Sequence, residues 1–318
     1  LKKLIIFCVP IIIISWPLDN YLSQNTKKSN SFSGEYIIWN DIYNSDINAN
    51  VVIYGSSKAW VSFNPAILED ILKCKVYNLG IDGHNFWLEY LRHKEFLKFN
   101  IKPDYIVLNL DQFSLEKRTE LYNLDQFLPY MLFNKDIYTY TSSYQGFSWY
   151  DYYIPLIRYH GRREAILNAF FYSFNVVNTV PMREKGFRGM EFSWNDDFDH
   201  AKSLMSYYEV KIDSVSKDLF KRFLTECAEE GIRIIFVYSP EYIEFNSFVR
   251  NRNEIISLYS NYSKLFNIPF LNYTNDTICS QKQYFYNATH LNKKGSELFT
   301  HQLARDLKQI IVHCQELP

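Results

Sequence analysis

Short β-rich runs alternate with amphipathic runs from residue 51 onward, and this alternation limits the fold more than any other feature. Val51-Val52-Ile53-Tyr54 reads as a buried strand, followed by a glycine turn and a helix over 65–73. Residues 75–79 read as a second strand, with a helix over 86–99 after it. Pro103 introduces a third strand over 105–110. An amphipathic helix over 214–230 stops at Gly231, a natural C-cap, and leads into a strand over 232–238. A helix over 254–266, a last strand over 269–273 and a final helix over 294–312 complete the pattern. Strands separated by helices form a parallel sheet covered on both faces. The expected fold class is α/β, a three-layer flavodoxin-like parallel sheet. Such sheets take ligands beyond the carboxyl ends of their strands, so residues just after strands carry the most information.

Residues 114–212 break the alternation and read as a mostly helical insertion after the third strand. They are rich in aromatics, among them Tyr138, Tyr140, Tyr144, Tyr150, Tyr152 and Tyr153, and suit a lid or specificity subdomain. At the other end, Lys2 and Lys3 precede an apolar stretch from Leu4 to Leu18 that ends at Asp19. Its length suits a signal h-region or short anchor, and no small-x-small cleavage site follows. The expected organisation is a signal anchor or signal peptide over 1–18, a polar linker over 19–34, and one α/β domain over 35–318. Basic residues ahead of the apolar run place the rest of the chain on the extracytoplasmic side, in a bacterial cell envelope, with the membrane as a partner through the N-terminal segment.

A formal net charge of −1 over 318 residues argues against a nucleic-acid partner, which needs a basic face or tail. The five cysteines (Cys8, Cys74, Cys227, Cys279, Cys314) form no CxxC pair and no zinc-ligand spacing, and their odd number closes no disulfide framework. No phosphate loop, two-His metal helix or dinucleotide fingerprint occurs, so neither a metal nor a cofactor is expected. The 26 Tyr and 25 Phe fit either an A/T-rich coding composition or surfaces that stack on carbohydrate.

Three short motifs stand after strands. Gly55-Ser56-Ser57-Lys58 follows the first strand, where a serine can expose its hydroxyl above the sheet and turn its backbone N–H to the same space; the simpler role is a helix N-cap. Asn78-Leu79-Gly80-Ile81-Asp82-Gly83 follows the second strand, and its glycines permit positive φ and close backbone approach. Asn287-Ala288-Thr289-His290 precedes the last helix and sets an imidazole three residues after a carboxamide.

Together, in this order and on these elements, the three motifs resemble the SGNH (GDSL-like) hydrolase family over residues 50–312. The resemblance implies Ser57 as nucleophile, His290 as general base and Gly83 as an oxyanion donor; His84, next to Gly83, and Gln112, after the third strand, are further candidates for contact with the substrate. Two departures stand out. The family's Asp is Asn287 here. Its Gly-x-Asn-Asp block after the third strand is replaced by Asn109-Leu110-Asp111-Gln112-Phe113, with Phe113 aligned on the asparagine and Gln112 just before it. A lost oxyanion side chain costs about 2.7–4 kcal/mol where nothing replaces it. An Asn carbonyl can still hold the useful imidazole tautomer, as in Cys-His-Asn sites, and Asp111 and Asp82 are alternative orienters. Tyr238-Ser239-Pro240-Glu241 is expected along the cleft rim. Arg158, His160, Arg162 and Arg163 read as a solvated basic cluster.

The expected function is a serine esterase or acyl (acetyl) transferase acting on an acylated cell-envelope polysaccharide or another ester. The alternative is a non-catalytic envelope-assembly or glycan-binding protein that keeps the fold; a lipid esterase is a third reading.

Overall fold

The computed structural model describes residues 2–83, 85–174 and 181–311, leaving aside the side chains of 2–9, 11 and 12. In chain order come helices α1 (Lys2–Thr26) and α2 (Ser31–Tyr43), strand β1 (Val51–Tyr54), helices α3 (Ser57–Ser62) and α4 (Pro65–Leu72), strand β2 (Val76–Asn78), helix α5 (Phe86–Phe99) and strand β3 (Tyr105–Leu110). They are followed by α6 (Lys135–Thr141), α7 (Arg163–Ser173), α8 (Asp197–Leu204), α9 (Ser214–Glu229), β4 (Arg233–Tyr238), α10 (Ile243–Phe248), α11 (Arg252–Leu265) and β5 (Phe270–Asn272). A small antiparallel hairpin, β6 (Phe285–Asn287) with β7 (His290–Leu291), precedes α12 (Lys293–Ile310).

The chain divides into two units, residues 44–117 with 183–318 and residues 1–43 with 118–182. The first of these holds a five-stranded sheet in the order β2-β1-β3-β4-β5, every pair parallel. This is the flavodoxin-like winding. Every residue of β1 and β3 is buried, because helices cover both faces and leave no polar side for alternation. Val51, Ile53, Val107, Ile235 and Val237 pack with Ala59 of α3, with Phe63 just after it, and with Phe299, Leu303 and Leu307 of α12. On the opposite face Tyr54 meets His93 of α5 and Phe223 of α9 edge-on, and Phe220 of α9 packs on Phe236 of β4 and on Tyr259 of α11. The three layers expected from the alternation are therefore present. Short elements escaped the sequence pattern. The six-residue helices α3 and α10 are too short to display a helical period, and β6–β7 is held by side-chain bonds rather than by β propensity. Cys74 is disulfide-bonded, while Cys227 and Cys279 are free and buried.

The second unit is helical and aromatic, but its bounds differ from the expected insertion. Only 118–182 leave the α/β unit; residues 114–117 and 183–212 belong to it, and residues 35–43 do not. The expected linker over 19–34 is not a tether. α1 continues to Thr26 through Pro10 and Pro17, and Asp19, Ser23, Asn25 and Thr26 are buried. The physical reason is Arg158. Its guanidinium is buried and donates to Asp19 Oδ1 at 2.6 Å, Ser23 Oγ at 3.0 Å and the Leu128 carbonyl at 2.6 Å. That also removes Arg158 from the expected solvated cluster, and Arg162 pairs with Asp125 at 3.1 Å. Trp39 of α2 is fully buried and donates to Gln126 Oε1 at 3.0 Å, and Tyr43 stacks on Tyr130 at 4.9 Å. Among the described residues no helix is long and apolar enough to cross a membrane.

Candidate active site

The chain leaves β1 through Gly55, at φ 145°, a value that favours glycine. A Cβ there would stand 2.9 Å from both the Asn109 carbonyl oxygen and Ala59 Cβ. Ser56 then caps α3. Its hydroxyl accepts from the Lys58 N–H at 3.4 Å and donates to Asp111 Oδ2 at 2.8 Å. The capping role belongs to Ser56, which leaves the Ser57 hydroxyl for other work. The Ser57 N–H has no acceptor among the described residues, as expected at the first position of a helix.

The turn after β2 is bound to the same place. Buried Asn78 donates through Nδ2 to the Ala59 and Phe63 carbonyls, both at 2.9 Å, and accepts the Gly80 N–H at 2.9 Å. Ile81 N–H donates to the Gly55 carbonyl at 2.9 Å, and Trp60 Nε1–H donates to Asp82 Oδ1 at 3.2 Å. Two buried arginines, Arg92 and Arg183, donate to the Gly80 carbonyl at 3.1 and 3.0 Å. Gly83 follows at φ 69°. His84 lies outside the described residues.

His290, on β7, brings Nε2 within 2.8 Å of Ser57 Oγ across 233 residues of sequence. Asn287 Oδ1 accepts the backbone N–H groups of Thr289 at 3.1 Å and His290 at 3.0 Å. Those groups can only donate, so the atom facing them is the oxygen. The same oxygen is 2.9 Å from His290 Nδ1. Nδ1 must therefore carry the proton, and Nε2 presents its lone pair to the Ser57 hydroxyl. Thr289 Oγ1 also stands 2.9 Å from Nδ1, and the Tyr286 ring stacks on the imidazole at 5.3 Å. Burial, and secondarily the Lys58 ammonium, push the His290 pKa down to about 3, with Asp111 acting in the opposite sense. The imidazole is neutral at pH 7, the state a base requires.

Sequence reasoning anticipated Ser57, His290 and Asn287, and the structure brings the three together. Other expectations need correction. Asp111 does not orient His290; it binds the Ser56 hydroxyl and accepts the Phe113 N–H at 2.7 Å. Phe113 packs edge-on against Tyr208 at 5.6 Å and has no oxyanion function. Gln112 is 1% exposed, with its Oε1 accepting from the Tyr238 hydroxyl at 2.5 Å; its Nε2 has no partner among the described residues. Tyr238-Ser239-Pro240-Glu241 is buried, not a rim. It lies there because Glu241 pairs with Lys58, itself only 3% exposed, and Arg252 Nη2 stands 3.8 Å from Glu241 Oε2. Lys58, Asn78, Arg92 and Arg183 were not singled out as supporting residues. Their one sequence signal was membership of the motifs, and only for the first two.

No protein-family model matches the chain, and no curated protein matches it. Among solved structures it is similar to a GDSL-like lipase from Bacteroides thetaiotaomicron, at 12% identity and TM-score 0.42 over 86% of this chain and 97% of that one. It is also similar to a protein described as lipolytic, of the G-D-S-L family, from Desulfitobacterium hafniense, at 12% identity and TM-score 0.41 over 80% and 98% of the two chains. Identities this low say nothing about substrate.

Proposed function

We propose that the chain is a serine esterase or acyl transferase of the SGNH type, with Ser57 as nucleophile. The observation that carries this reading is the 2.8 Å contact between Ser57 Oγ and a His290 whose tautomer is set by Asn287. His290 Nε2 takes the Ser57 proton as Oγ bonds to the ester carbonyl carbon, and the carbonyl π pair moves to oxygen. The Ser57 N–H and the Gly83 N–H are the proposed oxyanion donors; Gln112, expected near the substrate, is buried and its Nε2 has no surface with which to meet a substrate oxygen. Collapse of the intermediate breaks the bond to the leaving alkoxide, which takes the proton from His290. Water or a sugar hydroxyl then gives its proton to His290 and attacks the acyl-enzyme; Oγ leaves and recovers the proton.

A glycan ester in a bacterial cell envelope is the proposed substrate. What favours a glycan is a cleft of about 970 Å³ lined by Phe192, Trp194, Lys282 and Lys293, among others. Phe192 meets Tyr286 edge-on at 6.0 Å, and Tyr286 is the ring on His290. Flat rings beside a polar rim suit a sugar face. The second reading, a glycan-binding protein without catalysis, is favoured by Asn287, which has no charge to stabilise an imidazolium. The two separate cleanly. In the esterase reading the full chain hydrolyses p-nitrophenyl acetate and is labelled by a fluorophosphonate, and Ser57→Ala abolishes both. Wild-type protein that neither labels nor hydrolyses acetylated sugars leaves Ser57 as a structural residue and favours the binder.

A further inference from the structure

A helix packed in water buries its large apolar side chains and exposes small or polar ones. α7 does the reverse. Its buried residues are Ala165 and Ala169, while Ile166, Leu167, Phe170, Phe171 and Phe174 are between 39% and 63% exposed. These five recur at i, i+1, i+4, i+5 and i+8, a single stripe, in which Phe170 meets Phe174 at 4.9 Å. α1 packs alongside α7 and exposes Ile13, Ile14, Trp16 and Leu18. Trp16 stacks on exposed Phe133 at 5.9 Å, and Phe133 meets exposed Tyr153 at 6.4 Å. Single exposed apolar residues need no explanation, but a contiguous field of them marks a surface that something covers.

We propose that this face of the helical unit docks on a lipid bilayer, lying in the interface of one leaflet rather than crossing it. Charge distribution selects a bilayer over a second copy of the chain. α1 begins with Lys2 and Lys3 and then has no charged residue until Asp19, which is turned inward onto Arg158. α7 has Arg163 and Glu164 at its start and no charge from Ala165 to Phe174. Two long uncharged runs, one with cations only at its leading end, match an apolar leaflet beneath anionic headgroups. Exposed Trp16 and Tyr153, both against Phe133, and Tyr21, bonded to Ser173 of α7, supply rings with one apolar and one polar edge, the type that settles at headgroup level. The proposal does not depend on whether Ser57 is a nucleophile.

The test is co-sedimentation of the full chain with vesicles of phosphatidylcholine and phosphatidylglycerol, and with phosphatidylcholine alone. Wild-type protein should pellet with the vesicles, more strongly with the anionic ones. Phe170→Ser with Phe171→Ser should lower the partition coefficient by about tenfold or more while leaving circular dichroism and the thermal midpoint unchanged, since both side chains are exposed. Ile166→Ser with Phe174→Ser provides a second pair on the same stripe. The proposal fails if wild type stays in the supernatant, or if both pairs bind like wild type. It also fails if sedimentation velocity without vesicles shows a dimer that these pairs dissociate, which would assign the face to a second copy.

Discussion

One carbonyl oxygen, Asn287 Oδ1, accepts both the backbone N–H of His290 at 3.0 Å and its ring Nδ1–H at 2.9 Å. The residue that shapes the turn thus also decides which ring nitrogen carries the proton. Asn287→Ala would free the tautomer and the turn together, and activity toward a small acetyl ester should fall by as much as about 10⁴-fold, the loss that the wrong tautomer causes in a Ser-His-Asp site. Asn287→Asp should preserve or raise kcat, because a carboxylate keeps the acceptor and adds a charge for the imidazolium. A large loss in Asn287→Asp would contradict the proposed role.

The pH dependence follows from the direction of the His290 shift. Its pKa lies below the ordinary 6.5, at about 3, so the base stays unprotonated as pH falls through 6.5. The acid limb of kcat/KM should appear well below pH 6.5. Stability behaves differently. Between these two values the unfolded chain binds a proton that the folded chain refuses, so the His290 contribution is present above pH 6.5 and is lost as pH falls toward 3. Buried His93, also pushed down to about 3, has the same sign. Urea midpoints should therefore drop between pH 7 and pH 4, and less so in His93→Gln.

Lys58 and Glu241 form a buried ion pair behind the nucleophile. Glu241→Ala leaves the Lys58 ammonium buried without its partner and should destabilise the fold by about 3–5 kcal/mol, read from urea denaturation. Lys58→Met combined with Glu241→Leu should recover most of that loss. The double variant also removes a cation that depresses His290, so its acid limb should move upward in pH.

Gly55→Ala tests the turn that presents Ser57. The new methyl would meet the Asn109 carbonyl oxygen at 2.9 Å at a φ of 145°. Destabilisation of about 1–3 kcal/mol is expected, with slower fluorophosphonate labelling because the backbone must shift next to Ser57. Unchanged labelling would show that the turn tolerates a side chain.

Much of the α/β unit was legible along the chain. Val51–Tyr54, Phe86–Phe99 and Tyr105–Leu110 coincide with their elements, because β-branched runs and amphipathic periods are local signals set by burial on two faces or one. Ser57, Asn287 and His290 were legible because each stands just beyond a strand or ahead of a helix. Tertiary structure alone decided the rest. Asp111 reads as an alternative orienter of His290 but serves Ser56, since its partner depends on how β1 and β3 align. Glu241 was assigned to the rim but is buried, since Lys58 reaches it across 183 residues. Asp19 ends the apolar run in the sequence, and only the fold shows it as the partner of Arg158, 139 residues away. Buried charges must find partners in space, and sequence order does not encode which groups folding will bring within 3 Å. The exposed Phe stripe of α7 teaches the same point in reverse. Residues 165–174 carry no charge, but only the packing of Ala165 and Ala169 against the rest of the unit decided which side of the helix faces outward.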